Sequence, residues 1–144
     1  MKVSENFILQ EFVPKSIYSK YKNSARWFVQ KRLIYAAQCI RKRFDKPMII
    51  NNWHTREHGG FHFRGFRDPL CNVGAEMSQH RFGRALDFHI KGLSHEEIFK
   101  DIMDNELQYM SYGITAIEDI EHTNGWIHID LRWTDQPELL VVSP

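Results

Sequence analysis

The amino-acid sequence predicts an α+β domain in which helices pack on one side of a small antiparallel sheet. Three observations support this fold class. The first third of the chain has a long helical repeat of apolar residues, and the second half has two alternating strand patterns with a well-started helix between them. The chain of 144 residues has a normal length for one domain and can bury a sizeable core. We therefore expect residues 1–144 to form a single domain.

The clearest predicted helix covers residues 24–44. Its apolar positions recur at helical spacing, and Asp45 and Pro47 follow at its end. The apolar stripe consists of Leu33, Ala37, Ile40 and Phe44, widened by Trp27 and Ile34. We expect a short strand over 48–52 and then a long, turn-rich loop over 53–78, and loops of that length usually have a function.

The second half of the chain alternates between strands and a helix. Residues 84–90 are predicted to form a strand, and Ser94 begins a helix with Glu97 at the capping-box position. Further strands are predicted over 112–120 and 126–133. In the two strands that alternate most clearly, the polar faces consist of Ala85, Asp87 and His89, and of Trp126, His128, Asp130 and Arg132.

The composition limits the classes of partner. The net charge is +1, so charge gives no reason to expect binding to nucleic acid. No apolar stretch reaches the roughly 20 residues that span a membrane. The N-terminus has no apolar signal core, so we expect the protein to stay in the cytoplasm of the producing cell unless something else exports it. We also expect a monomer. Two cysteines do not make a disulfide framework, and Cys71 is expected to be a free thiol.

Three residues of the two alternating strands and the preceding loop suggest a metal site. Two histidines and one aspartate, His80, Asp87 and His128, are a ligand set for zinc that leaves a fourth position open for water. If the two strands pair with their apolar faces on the core, Asp87 and His128 point the same way. Gly83 permits a tight approach of the loop that contains His80. The alternative is that these are ordinary hydrogen-bonded or surface residues.

The same residues form a recognisable motif. The pattern Ser78-x-His80-x-x-Gly83-x-Ala85-x-Asp87, with a later Trp126-x-His128-x-Asp130, resembles the zinc D-Ala-D-Ala carboxypeptidases and related peptidoglycan endopeptidases. These enzymes share the hedgehog/DD-peptidase fold. The resemblance to the bacterial and phage branch of the family extends upstream. The similar segments are Asn6–Phe12, Ile49–Trp53, Arg64–Arg67 and Asn72–Ala75, with an insertion between Trp53 and Phe63.

The resemblance implies a zinc metallopeptidase that hydrolyses peptide bonds of peptidoglycan, in a stem peptide or a cross-link. It implies Zn²⁺ as the cofactor and peptidoglycan peptides as the partners. A second hypothesis is a zinc-binding module without catalysis, serving as a structural or cell-wall-binding part of a phage particle. A third, a binding protein without metal, would require the motif match to be accidental. The sequence does not specify which bond is cut.

Amide hydrolysis also needs a general base. In relatives a Glu or Asp lies three residues before the last histidine ligand, and here Gly125 has that position. Glu121 and His122, in the segment before that histidine, are our preferred substitutes, and both could instead be exposed loop residues. Glu118 is further back. We expect Asp130 to hold a ligand or an arginine in place rather than to act as the base.

Arg67 is the best candidate for substrate binding, because it matches the arginine of the family motif, where a guanidinium near zinc can hold a carboxylate or an oxyanion. Arg64 is the neighbouring alternative. Ser78 is expected to orient the motif loop or to bind the substrate, and His89 to line the cleft. Three histidines of the long loop, at positions 54, 58 and 62, are predicted to be loop residues, with a second metal site as the alternative.

Overall fold

The structure is a computed structural model that describes residues 1–55 and 60–143. The described residues form four α-helices, α1 (Lys15–Tyr21), α2 (Lys31–Phe44), α3 (His95–Asp104) and α4 (Glu106–Ser111). They also form five strands, β1 (Met48–Ile49), β2 (Ala85–Ile90), β3 (Ala116–Glu118), β4 (Ile127–Asp130) and β5 (Leu140–Val142). Short 3₁₀ helices occur at Leu9–Glu11, Lys22–Phe28, Gln79–Phe82 and Ile120–His122.

The strands form one mixed sheet with the order β1-β2-β4-β3-β5. The first four strands of this order pair antiparallel, whereas β5 pairs parallel with β3. The α+β class is confirmed, but the expectation of an entirely antiparallel sheet is wrong. After β4 the chain crosses to the free edge of β3 and forms β5 there. Strand β5 runs opposite to β4 and is therefore parallel to β3. The four expected strands are present and shorter than predicted.

The helix expected over 24–44 is divided. Regular α-helix begins only at Lys31, and residues 22–28 form a 3₁₀ helix. Between them Val29 and Gln30 are extended, and the Gln30 N–H donates to Gly83 O at 2.9 Å. This tertiary hydrogen bond replaces the helical one, so Trp27 is not part of the apolar stripe and is 76% exposed. The other end of the prediction is confirmed, because α2 ends at Phe44 with Asp45 in the left-handed conformation.

The apolar face of the sheet is buried against the helices. One cluster of buried side chains joins strands β2 and β4 to helices α2 and α3, through Leu86, Phe88, Ile127, Ile129, Leu33 and Ile98. Because side chains alternate along a strand, the opposite face of β2 and β4 presents Asp87, His128 and Asp130. The expected capping box of α3 is also present, since Ser94 Oγ accepts the Glu97 N–H and Glu97 accepts the Ser94 N–H.

The described part of the loop after β1 is anchored to the N-terminal segment. Trp53 donates its indole N–H to Val13 O at 2.9 Å, and the Phe66 N–H donates to Phe12 O at 2.7 Å. These residues therefore hold the loop in place. Cys39 and Cys71 are free thiols. Within residues 1–55 and 60–143, no helix has the length and apolar character needed to cross a membrane.

Candidate metal centre

Two ligand candidates lie side by side on the polar face of the sheet. Strands β2 and β4 pair in a register that places Asp87 directly opposite His128. Strand β3 pairs with β4 through Ala116 with Asp130 and Ile117 with Ile129. One further step in that register places Glu118 opposite His128 on the other side. Asp87, His128 and Glu118 thus form a row across three strands, as expected for cross-strand neighbours.

The third candidate, His80, comes from the 3₁₀ helix Gln79–Phe82 that precedes β2. Gly83 ends this helix with φ +64°, and a Cβ there would lie 1.9 Å from Phe28 O. Only glycine allows this backbone to approach Phe28 so closely, and the predicted tight approach at Gly83 is present. The Gln30 N–H also holds the carbonyl of Gly83. The loop with His80 is therefore fixed against the segment before α2.

The predicted set His80, Asp87 and His128 converges on one point. Asp87 Oδ1 lies 2.7 Å from His128 Nδ1 and 3.2 Å from His80 Nε2, and the two ring nitrogens are 3.3 Å apart. A tetrahedral zinc site with bonds of about 2.0–2.1 Å would separate its ligand atoms by roughly 3.3 Å. Among the described residues, this is the one group of histidine, cysteine and carboxylate side chains close enough to share a metal ion.

The outer nitrogen of His80 supports its role as a ligand. Its Nδ1 lies 2.7 Å from Gly65 O, which can only accept, so this nitrogen is the one that bears hydrogen. Nε2 is then left with its lone pair directed at Asp87 and His128. Burial lowers the pKa of His80, which favours the neutral imidazole that a metal requires.

Asp87 divides its two oxygens between the site and Arg67. Oδ1 faces the histidines, while Oδ2 accepts a hydrogen bond from Arg67 Nη2 at 2.8 Å. Burial alone would raise the pKa of Asp87, but the neighbouring His80 and His128 hold it well below its usual range. Arg67 is itself fixed, because its Nε donates to Phe63 O at 2.7 Å. Asp87 therefore offers one oriented, ionised oxygen.

His128 is oriented by a buried carboxylate. Its Nε2 lies 3.2 Å from Asp130 Oδ2, and the side chain of Asp130 is 0% exposed. Arg132 donates to Asp130 from its backbone and its guanidinium. Burial disfavours the charged imidazole, but the hydrogen bonds to Asp130 and Asp87 outweigh it and raise the pKa of His128 to about 9. The interpretation of Asp130 as a residue that holds a ligand agrees with these contacts.

An open cavity of about 400 Å³ lies over the three ligand candidates. Arg67 and Ser78 are in its wall, as the sequence predicts for substrate-binding residues. Ser78 precedes the 3₁₀ helix Gln79–Phe82, and its side chain does not cap that helix. Several further wall residues had no assigned role in the sequence, among them Gln79, Trp126 and Arg132.

The structure places the two preferred bases outside the cavity wall. Glu121 and His122 lie on the 3₁₀ helix Ile120–His122 and are exposed. The side chain of Asp119 accepts the Glu121 N–H at 3.1 Å and fixes this segment as a helical turn, so it does not fold over the ligands. Glu118, at the end of β3, is in the wall. It is half-buried, and burial raises its pKa.

Other candidates lie beside the cavity rather than in it. Arg64 is stacked on Phe61, with its guanidinium carbon 3.5 Å from the ring centroid, and bonds His89 Nδ1 at 2.8 Å. Neither Arg64 nor His89 lines the cavity. Of the three loop histidines, His58 lies outside the described residues, and the other two belong to no metal-binding group within them.

Comparison with models of protein families, with curated proteins and with solved structures found no match. The relation to the zinc D-Ala-D-Ala peptidases is therefore a hypothesis from the sequence motifs, and the arrangement of the side chains is the independent observation. That arrangement comprises three converging ligand atoms, an outer partner for each ligand, and a carboxylate and an arginine in the wall of one cavity.

Proposed function

We propose that this protein is a zinc-dependent peptidase that hydrolyses a peptide bond in peptidoglycan, in a stem peptide or a cross-link. The convergence of His80 Nε2, Asp87 Oδ1 and His128 Nδ1 in the wall of an open cavity is the observation that supports it best. Three protein ligands with an open fourth position are typical of catalytic zinc, whereas structural zinc sites are closed. The peptidoglycan substrate is inferred from the sequence resemblance.

The ligand candidates, Glu118 and Arg67 each have a chemical task in this proposal. Zinc bound by the three ligands would polarise the scissile carbonyl and lower the pKa of a water molecule to about 7. Glu118, in the row with His128, accepts the proton of the attacking water and returns it to the leaving amine. Arg67, held by Asp87 and by Phe63 O, uses its remaining N–H groups to hold a substrate carboxylate or the developing oxyanion.

The test is digestion of purified muropeptides with zinc-loaded protein, read by mass spectrometry. Glu118→Gln should keep its zinc and lose about 10²- to 10⁴-fold in rate, the usual contribution of a general base. Glu121→Gln is the matched control, because the same carboxyl is removed at an exposed position on the next turn. Full activity of Glu118→Gln would show that Glu118 is not the general base.

A zinc-binding module without catalysis is the second candidate. The observation in its favour is Gly125, which occupies the position where relatives place a carboxylate. This reading predicts one tightly bound zinc per chain, no cleavage of any muropeptide by the wild type, and retention of the protein on insoluble peptidoglycan. Cleavage that is lost on chelation and restored by zinc would reject it.

A further inference from the structure

A second cavity of about 230 Å³ lies next to the candidate metal centre. The two cavities share Arg132, which is in both walls. They are also joined by a hydrogen bond, because Arg84 of the second cavity donates from Nε to Gln79 Oε1 of the first at 2.7 Å. The two cavities therefore adjoin each other at Arg132 and at this hydrogen bond.

The second cavity is positively charged. Three arginines line it, Arg32, Arg84 and Arg132, together with neutral residues, and no Asp or Glu is in its wall. Arg132 is paired with the buried Asp130. Within the part of the chain that the structure describes, neither Arg32 nor Arg84 has a carboxylate within ion-pair distance. Two guanidinium groups are thus left without a counter-charge.

Each of these two arginines contacts one neighbouring residue beside the cavity, and Arg32 is exposed while Arg84 is half-buried. Arg32 lies against Gly113, where a Cβ would fall 2.3 Å from its Nε. Arg84 lies over the ring of Phe82, with its guanidinium carbon 5.0 Å from the centroid. At the rim Trp133 is 93% exposed, which leaves a flat apolar surface and an indole N–H beside the arginines. A guanidinium group matches the planar, bidentate geometry of a carboxylate.

The geometry points to a subsite for a second carboxylate of the peptide substrate, bound by Arg32 and Arg84 while the scissile bond lies in the first cavity. This inference rests on the proposed peptidase function and adds a substrate requirement to it. The preferred substrate is a peptide with an ionised acidic residue at a distance from the scissile bond. A peptide in which that residue is amidated would lose the contact.

The test uses two synthetic stem pentapeptides that differ only in their D-glutamyl residue, one with a free α-carboxylate and one with a carboxamide. Binding is measured by calorimetry and cleavage by the separate kinetic constants kcat and KM. Wild type should bind the free carboxylate about tenfold more tightly, or more, since hydrogen bonds to charged groups are the stronger ones. Arg32→Gln with Arg84→Gln should bind both peptides equally, with KM raised for the acidic peptide and kcat retained.

Lys31→Gln with Lys91→Gln is the control, because it removes the same charge at exposed positions outside both cavities. It should still discriminate between the peptides. Equal affinity of wild type for both peptides, no binding of either, or inorganic phosphate binding without peptide discrimination would overturn the subsite. Discrimination in binding without cleavage would overturn the peptidase proposal alone, whereas cleavage without discrimination would overturn the subsite alone.

Discussion

Each ligand candidate has an outer partner of a different chemical kind. A backbone carbonyl holds His80, a guanidinium holds Asp87, and a buried carboxylate holds His128. In each case the outer contact fixes which atom faces the centre, and for the histidines it fixes the tautomer. The centre is therefore preorganised by individual hydrogen bonds, and these bonds can be removed one at a time.

Asp130→Asn should weaken zinc binding by about 10- to 100-fold, the usual effect of losing such an outer partner. The amide has no charge to favour the His128 Nε2–H, and Arg132 loses its ion-pair partner. Chelator competition on the purified protein measures the affinity. Asp135→Asn, at an exposed position, should match wild type. Unchanged affinity in Asp130→Asn would show that His128 is oriented without this carboxylate.

Arg67 contacts Asp87 as well as the cavity, so its loss should have two measurable effects. Arg67→Ala is expected to weaken zinc binding several-fold and, at saturating zinc, to lower kcat/KM by about 10²-fold or more. Arg67→Lys should restore much of the zinc affinity but little of the turnover, because a point charge does not replace the planar fork. Equal recovery of both quantities would assign Arg67 to positioning Asp87 alone.

At the scale of elements, the junction between the 3₁₀ helix Gln79–Phe82 and β2 determines the position of His80. Gly83 ends that helix against Phe28, and its carbonyl accepts the Gln30 N–H just before α2. The same contact therefore shortens the long predicted helix and fixes the loop that contains the ligand candidate His80. Packing between two elements explains both features.

Gly83→Ala should lower the free energy of unfolding by at least ~2 kcal/mol, from left-handed strain of about 1–2 kcal/mol together with the overlap with Phe28 O. Gly92→Ala is the matched control, since Gly92 has φ +81° with nothing within 4 Å of a Cβ. It should lose only the strain contribution. Urea denaturation in the presence of chelator measures both variants. Equal losses of unfolding free energy in the two variants would mean that the close approach to Phe28 adds nothing to the cost of Gly83→Ala.

At the scale of the whole molecule, the N-terminal segment closes the core. Phe7, Leu9 and Phe12 are buried in it, and Glu11 lies between them. The carboxyl of Glu11 accepts the Ile8 N–H at 2.8 Å, and its backbone carbonyl accepts the Asn51 N–H. Burial raises the pKa of Glu11 to about 7. The stability of the fold should therefore depend on pH in part through this carboxyl.

The direction of this pH dependence follows from the number of protons bound in the folded and unfolded states. Between the unfolded value of 4.5 and about 7, Glu11 is protonated in the folded state and ionised in the unfolded state. Its contribution to stability is complete below pH 4.5 and is lost as the pH rises through 7. Relative to Glu11→Gln, wild type should lose about 1–2 kcal/mol over this range, a figure reduced for partial exposure. Urea denaturation at each pH measures it.

Glu138→Gln removes an exposed carboxyl and should follow the wild-type pH dependence. Because His80, Asp87 and His128 are common to all three proteins, their titration cancels in the comparison. A constant difference between wild type and Glu11→Gln across the range would show that Glu11 is ionised in the folded protein throughout.

The sequence by itself determined the set of ligand candidates and the faces of the two strands that position Asp87 and His128. His80, Asp87 and His128 could be predicted because alternation along a strand is a local property and because the residue types match a zinc site. Asp130 could be assigned beside His128 for the same reason. The start of α3 at Ser94 and the end of α2 before Asp45 were also predictable, since capping depends on neighbouring residues.

Only the tertiary structure decided which carboxylate faces the ligands. Glu118 lies opposite His128 because β3 pairs with β4 in one register, and no local pattern specifies that pairing. The parallel pairing of β5 and the interruption before α2 likewise depend on contacts between distant segments. Local spacing determines which side chains share a face of one strand. Which strands pair, and in which register, depends on packing between segments that are distant in the sequence.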